Sequence, residues 1–110
     1  MISIENLQAN GADIKTGLSR CVGKEDLYLK LVGMGLGDAK FEELGSALTQ
    51  NDFSRAFELC HALKGVIGNL ALTPLYEALS AMTEKLRNQE AADYTAMYSD
   101  ILQIRNKFSL

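Results

Sequence analysis

Apolar positions recur along this chain at intervals of three and four rather than two, which sets them on one face of a helix turn after turn. No segment alternates in the manner of a strand, and the whole chain holds one proline. The pattern predicts an all-α protein. Residues 1–12 carry no clear stripe and are expected to be loose. Asp13 can cap a short helix that turns Ile14, Leu18, Cys21 and Val22 inward and ends at Gly23. From about Lys24 to Gly37 a second short helix is expected, with Leu27, Leu31 and Met34 inward. Gly33, Gly35 and Gly37 each cost about 1 kcal/mol relative to alanine in a helix interior, so that helix is predicted to be weakened, bent or ended early.

Four longer helices follow. Asp38 offers an N-cap for a helix over about 38–50, with Phe41, Leu44 and Leu48 on one stripe. Asn51 and Asp52 punctuate its end, and Asp52 opens a helix over about 52–70. Thr73 before Pro74 is a start signal, a capping hydroxyl ahead of proline at the first helical position, for a helix over about 73–88. Its inward residues are Leu75, Leu79, Met82 and Leu86. The last helix, about 91–108, carries Tyr94, Met97, Ile101, Ile104 and Phe108. Helices with one apolar stripe each, joined by short loops, bury those stripes by packing antiparallel to their neighbours. The expected architecture is an up-down four-helix bundle, with the two short N-terminal helices covering one end or flank. No repeat, low-complexity stretch or linker divides residues 1–110, so one domain is expected.

Composition narrows the class without naming a function. A chain of 110 residues, 47% hydrophobic and 23% charged, suits a single globular core. Its 11 basic residues are scattered and outnumbered by 14 acidic ones, for a net charge of −3, which argues against a nucleic-acid partner. Cys21 and Cys60 form no disulfide framework or zinc spacing and are expected to be buried thiols. No apolar run reaches membrane-spanning length, and the amino terminus lacks a basic start and a signal-peptide run. A cytoplasmic, free-standing monomer with no membrane contact is expected, its stripes buried internally.

The chemistry concentrates on the helix over 52–70. With Phe53 at zero and about 100° per residue, Ala56, Cys60, Leu63, Ile67 and Leu70 fall between about 260° and 340°. Leu59, Val66 and Phe57 flank this core arc. Lys64, Gly68, His61 and Gly65 lie at about 20°, 60°, 80° and 120°, beyond its edge. The sole histidine therefore faces solvent together with a cation and two residues without side chains. A lone helical histidine is ordinarily a satisfied boundary residue, a lysine there ordinarily snorkels, and helical glycines ordinarily serve close packing. Here Gly65 and Gly68 together cost the helix about 2 kcal/mol, which suits a face that a bulky group or another backbone must approach. A neutral imidazole offers a lone pair for attack on phosphorus. A phosphoryl group carries close to two negative charges, and a cation about 4 Å away contributes roughly 1 kcal/mol per charge in water and about 4 kcal/mol at an intermediate dielectric. Lys64 suits that task, and Phe57, one turn before His61, suits an apolar docking patch. A metal site on Cys60 and His61 is a poor rival, because adjacent helical residues diverge by about 100°.

His61-Ala62-Leu63-Lys64-Gly65, followed by Asn69-Leu70, resembles the histidine-containing phosphotransfer (HPt) domain of two-component phosphorelays. Upstream, Gly11-Ala12-Asp13 through Gly17-Leu18-Ser19-Arg20, then Gly23 and Leu27-Tyr28-Leu29, is similar to the start of many bacterial members, and the similarity runs over about 11–88. The resemblance implies that His61 accepts a phosphoryl group from a receiver aspartate and passes it to another receiver, that Lys64 neutralises phosphoryl charge, and that Gly65 leaves room beside the ring. It implies receiver domains and a sensor or hybrid histidine kinase as partners. Mg²⁺ would belong to the receiver, so the chain would need no metal or cofactor of its own. It would be a carrier rather than an enzyme, and no nucleotide-binding glycine loop or carboxylate cluster contradicts that. The rival is a helical module that binds a receiver or another signalling partner without carrying phosphate; a purely structural bundle would leave the paired glycines unexplained. Three positions depart from the family pattern: Val66 stands where a small hydroxyl residue is common, Ala71 where glycine is common, and Gly35 where a large apolar residue is usual. The last puts the packing of the second helix in question.

Overall fold

Aspartates start three of the helices. In a computed structural model, which describes residues 2–109, the Asp13 carboxylate accepts from the Thr16 hydroxyl at 2.7 Å and from the Thr16 N–H at 3.2 Å. Those bonds to Thr16 hold its pKa below the usual carboxylate value. Asp52 accepts from the Arg55 N–H at 3.2 Å and Asp93 from the Ala96 N–H at 3.0 Å, each filling one orphan donor of a first turn. Among the described residues the helices are α1 (Ile4–Ala9), α2 (Ile14–Arg20), α3 (Glu25–Leu36), α4 (Lys40–Thr49), α5 (Phe53–Asn69), α6 (Thr73–Arg87) and α7 (Tyr94–Phe108), with no strand.

Three starts differ in detail from expectation. Asp38 accepts from the Lys40 N–H at 2.8 Å, but α4 begins two residues later, after Ala39. Thr73 is not the cap of α6. Leu72 holds that position without a side-chain bond, and Pro74 lies within the first turn. The last helix starts at Tyr94 rather than 91, because Asp93 supplies the cap.

α5 packs between α4 and α6, and α7 closes the ring against both of them. Short loops make sequential neighbours antiparallel, so α4–α7 form the up-down bundle that the stripes predicted. Phe41, Leu44, Leu63, Ile67, Leu75, Leu79, Met82, Ile101 and Phe108 are buried at its centre. No helix among the described residues is long and apolar enough to cross a membrane.

The N-terminal layer holds the corrections. Of the stretch 1–12, residue 1 lies outside the described residues, and the rest is not loose: Ser3 caps α1 by accepting from the Asn6 N–H at 3.1 Å, Leu7 is fully buried, and the Asn6 amide donates to the Lys107 carbonyl at 2.8 Å. One buried anchor in six residues makes no periodic signal. Val22 does not point inward; it is 84% exposed, in a left-handed turn at φ 56°. In α3 the inward face is one position away from the predicted stripe. Leu27, Leu31 and Met34 are exposed, whereas Tyr28, Val32, Gly35 and Leu36 are buried. Apolar residues on both sides of α3 left its phase open, and Tyr28 settles it by burying its ring and donating its hydroxyl to the Leu70 carbonyl at 2.7 Å.

The glycines do not end α3 early, for it runs to Leu36 with Gly37 as its C-cap. Gly35 packs against α5. A Cβ there would lie 2.5 Å from Leu70 Cδ1 and 3.5 Å from Val66 Cγ1. Leu70 fills the space that a large residue at position 35 would take, so the departure at Gly35 is answered by its neighbour. Ala71, where glycine is common, has φ 60°, the left-handed conformation that glycine adopts without strain. Cys21 and Cys60 are free, buried thiols, as expected.

Candidate functional site

The 17 residues of α5 span about 25 Å, long enough to expose a functional face while burying another. Ala56, Leu59, Cys60, Leu63 and Ile67 are buried, and His61 and Gly65 are exposed on the other side. Cys60 and His61 diverge as the wheel predicts. The Cys60 sulfur lies 3.2 Å from Thr83 Oγ1 and 3.3 Å from the Leu79 carbonyl oxygen, inside the α5–α6 contact. Burial pushes that thiol up, away from a metal-binding thiolate. Among the described residues no three His, Cys, Asp or Glu side chains group to hold a metal ion.

Helical side chains lean toward the N-terminus, so His61 leans back over the preceding turn. There its ring stacks on Phe57, with centroids 5.9 Å apart and planes 13° from parallel. The guanidinium of Arg87, from α6, lies 5.3 Å over the other ring in that stack, and its Nε pairs with Glu84 Oε1 at 3.2 Å. Phe57 is therefore half-buried between Arg87 and His61, with its ring stacked against the imidazole. Its spacing from His61 was visible in the sequence. Arg87 was missed, because nothing local ties position 87 to position 57.

Lys64, half-buried, stands one turn after His61, and none of the ion pairs among the described residues includes it. The two glycines have different causes. A Cβ at Gly65 would meet nothing within 4 Å, whereas one at Gly68 would lie 2.9 Å from the Tyr76 ring. Gly68 is thus accounted for by packing of α5 against α6. Gly65 has no such internal reason. It opens into a groove of about 440 Å³ lined also by Lys64, Asn69, Tyr76 and Arg20. Tyr76 and Arg20 were not singled out from the sequence; Arg20 belongs to α2, and its approach to α5 depends on the fold.

The arrangement suits chemistry at an exposed imidazole. One ring face is held, the solvent side is open, a cation stands a turn away, and the next turn is bare of side chains. Neither a curated protein nor a solved structure matches this chain. A family model described as Hpt domain matches residues 37–107, which take in α4, α5, α6 and all but the last residue of α7, with His61, Lys64, Gly65 and Phe57 among them. The chain, all-helical and built on that bundle, belongs to the Hpt domain family.

Proposed function

We propose that His61 is the phosphoacceptor of a phosphorelay, taking a phosphoryl group from a receiver aspartate and giving it to another receiver. Hpt domains serve histidine phosphotransfer in phosphorelays as phosphocarriers rather than kinases, and the family interacts with receiver domains and kinases. The observation that carries the proposal is the exposed imidazole on α5 with Lys64 one turn on and open space at Gly65.

In the transfer, a ring-nitrogen lone pair forms the N–P bond as the acyl P–O bond breaks and its electron pair returns to the aspartate carboxylate. The reverse step hands the group on. Lys64 offsets phosphoryl charge in both directions without gaining or losing a proton. Phe57 stacks against the ring that makes this attack. Any Mg²⁺ would sit on the receiver, and the reaction asks no cofactor of this chain.

The test is a pulse and chase. The chain is labelled by a panel of receiver domains carrying aspartyl phosphate, separated from them, and given to fresh receiver. Label that enters the intact chain and leaves with the second receiver supports a carrier. Binding without label would replace the carrier with a phosphate-free docking module.

A further inference from the structure

The groove beside Gly65 receives a group from outside the family-matched residues. Arg20, the last residue of α2, donates from Nη1 to the Gly68 carbonyl oxygen at 2.8 Å. That oxygen also accepts from the Ala71 N–H at 3.1 Å, so Arg20 is not its sole partner. A cation near the C-terminal end of α5, which has no basic residue in its own last turn, fits the helix dipole. This anchoring occupies one of the five N–H donors of a guanidinium. The others face an exposed position, and none of the ion pairs among the described residues includes Arg20.

Arg20 and Lys64 therefore flank one open groove, with the bare Gly65 at its floor and the Tyr76 ring on its α6 side. Neither cation is in an ion pair among the described residues, although the Arg20 charge also reaches the Asp13 carboxylate and helps to hold its pKa low, and both are set on a chain whose net charge is −3. The local charge is opposite to the global one, and the occupant it suits is an anion. A guanidinium anchored at one nitrogen presents its remaining donors in the fork that matches a carboxylate.

We propose that this groove seats a carboxylate-bearing loop of the docking receiver, with Arg20 as the contact that helps select the partner. The proposal rests on His61 as the phosphoacceptor, because it places the loop one to two turns along α5 from that ring. Arg20 acts on partner binding and does not touch the transferred group.

Initial transfer rates from phosphorylated receiver domains, followed against receiver concentration, test it in the intact chain. Arg20→Gln should raise the half-saturating receiver concentration about fivefold, and Arg20→Glu about tenfold or more, as expected for lost and reversed charge at an interface. The effect should fall on half-saturation more than on the saturated rate. Half-saturation should rise with salt in the wild type and less steeply in Arg20→Gln. Arg20→Lys should restore part of the loss, since it keeps the charge and loses the fork. Thermal midpoints are read alongside. If Arg20→Gln lowers the midpoint while half-saturation and its salt dependence stay put, Arg20 only caps α5 and the proposal is overturned. A wild-type chain that no receiver labels overturns the phosphoacceptor assignment instead, whatever the Arg20 variants do.

Discussion

Replacing Gly65 by alanine should stabilise the fold and impair its use. Gly65 lies well inside α5, four residues before its last residue Asn69, and an added Cβ would meet nothing within 4 Å. The substitution therefore carries no packing cost and gains the helix propensity of alanine over glycine, about 0.8–1.0 kcal/mol. An unfolding entropy near 2.1 cal/mol/K per residue gives roughly 0.23 kcal/mol/K for 110 residues. The thermal midpoint should then rise by about 4 °C. Gly68→Ala is the control on the same helix. Its Cβ would lie 2.9 Å from the Tyr76 ring, so overpacking cancels or exceeds the gain and the midpoint should not rise. Thermal denaturation followed by circular dichroism reads both. Transfer from a phosphorylated receiver supplies the second half: Gly65→Ala should slow it, and Gly65→Leu should slow it further while the chain stays folded. A Gly65→Ala variant with a lower midpoint would refute the account of its surroundings. A stabilised variant with undiminished transfer would refute the reason offered for the glycine.

Further outcomes follow from the same geometry. Lys64→Ala should lower phosphoryl transfer about fivefold, the scale of roughly 1 kcal/mol of lost charge compensation, while helicity by circular dichroism is unchanged; unfolding of that variant would show that Lys64 serves the fold. Val22→Gly should stabilise the chain by about 0.5–1 kcal/mol in urea denaturation, because a β-branched residue at φ 56° is strained and, at 84% exposure, contributes little packing; no gain would contradict the turn. Burial raises the Cys60 thiol and the Tyr28 phenol above their ordinary values, so the folded state keeps protons that the unfolded chain releases. Stability present at neutral pH should therefore fall as pH rises above about 8.5, and in Cys60→Ala the first part of that fall should vanish; stability that rises over this range would contradict both burials.

The bundle was legible because α5, α6 and α7 each present one strong stripe, and in each the inward residues match the pattern from Cys60 and Leu63 to Ile101 and Phe108. The exposed position of His61 was legible for the same reason, since burying Cys60 and Leu63 on one arc leaves the adjacent arc to solvent. The N-terminal layer was less so. In α3 both Leu27-Leu31-Met34 and Tyr28-Val32-Leu36 are apolar series, and the choice between them is made by the Tyr28 bond to Leu70 and the close approach at Gly35. Leu7 is buried by tertiary contact rather than by any repeat in α1. The two site glycines looked alike on the wheel, and only the Tyr76 ring separates them. Arg20 and Arg87 reach the face from other helices, where spacing along the chain carries no information about distance.

The central claim is that the imidazole of His61 carries the phosphoryl group, and mapping the modified residue tests it most directly. After incubation with a phosphorylated receiver, the chain should hold phosphate that acid releases and base does not, and fragmentation of its peptides should locate it on His61. His61→Gln, with its fold intact, should remain unlabelled. Phosphate mapped to another residue, or equal labelling of His61→Gln, would contradict the account.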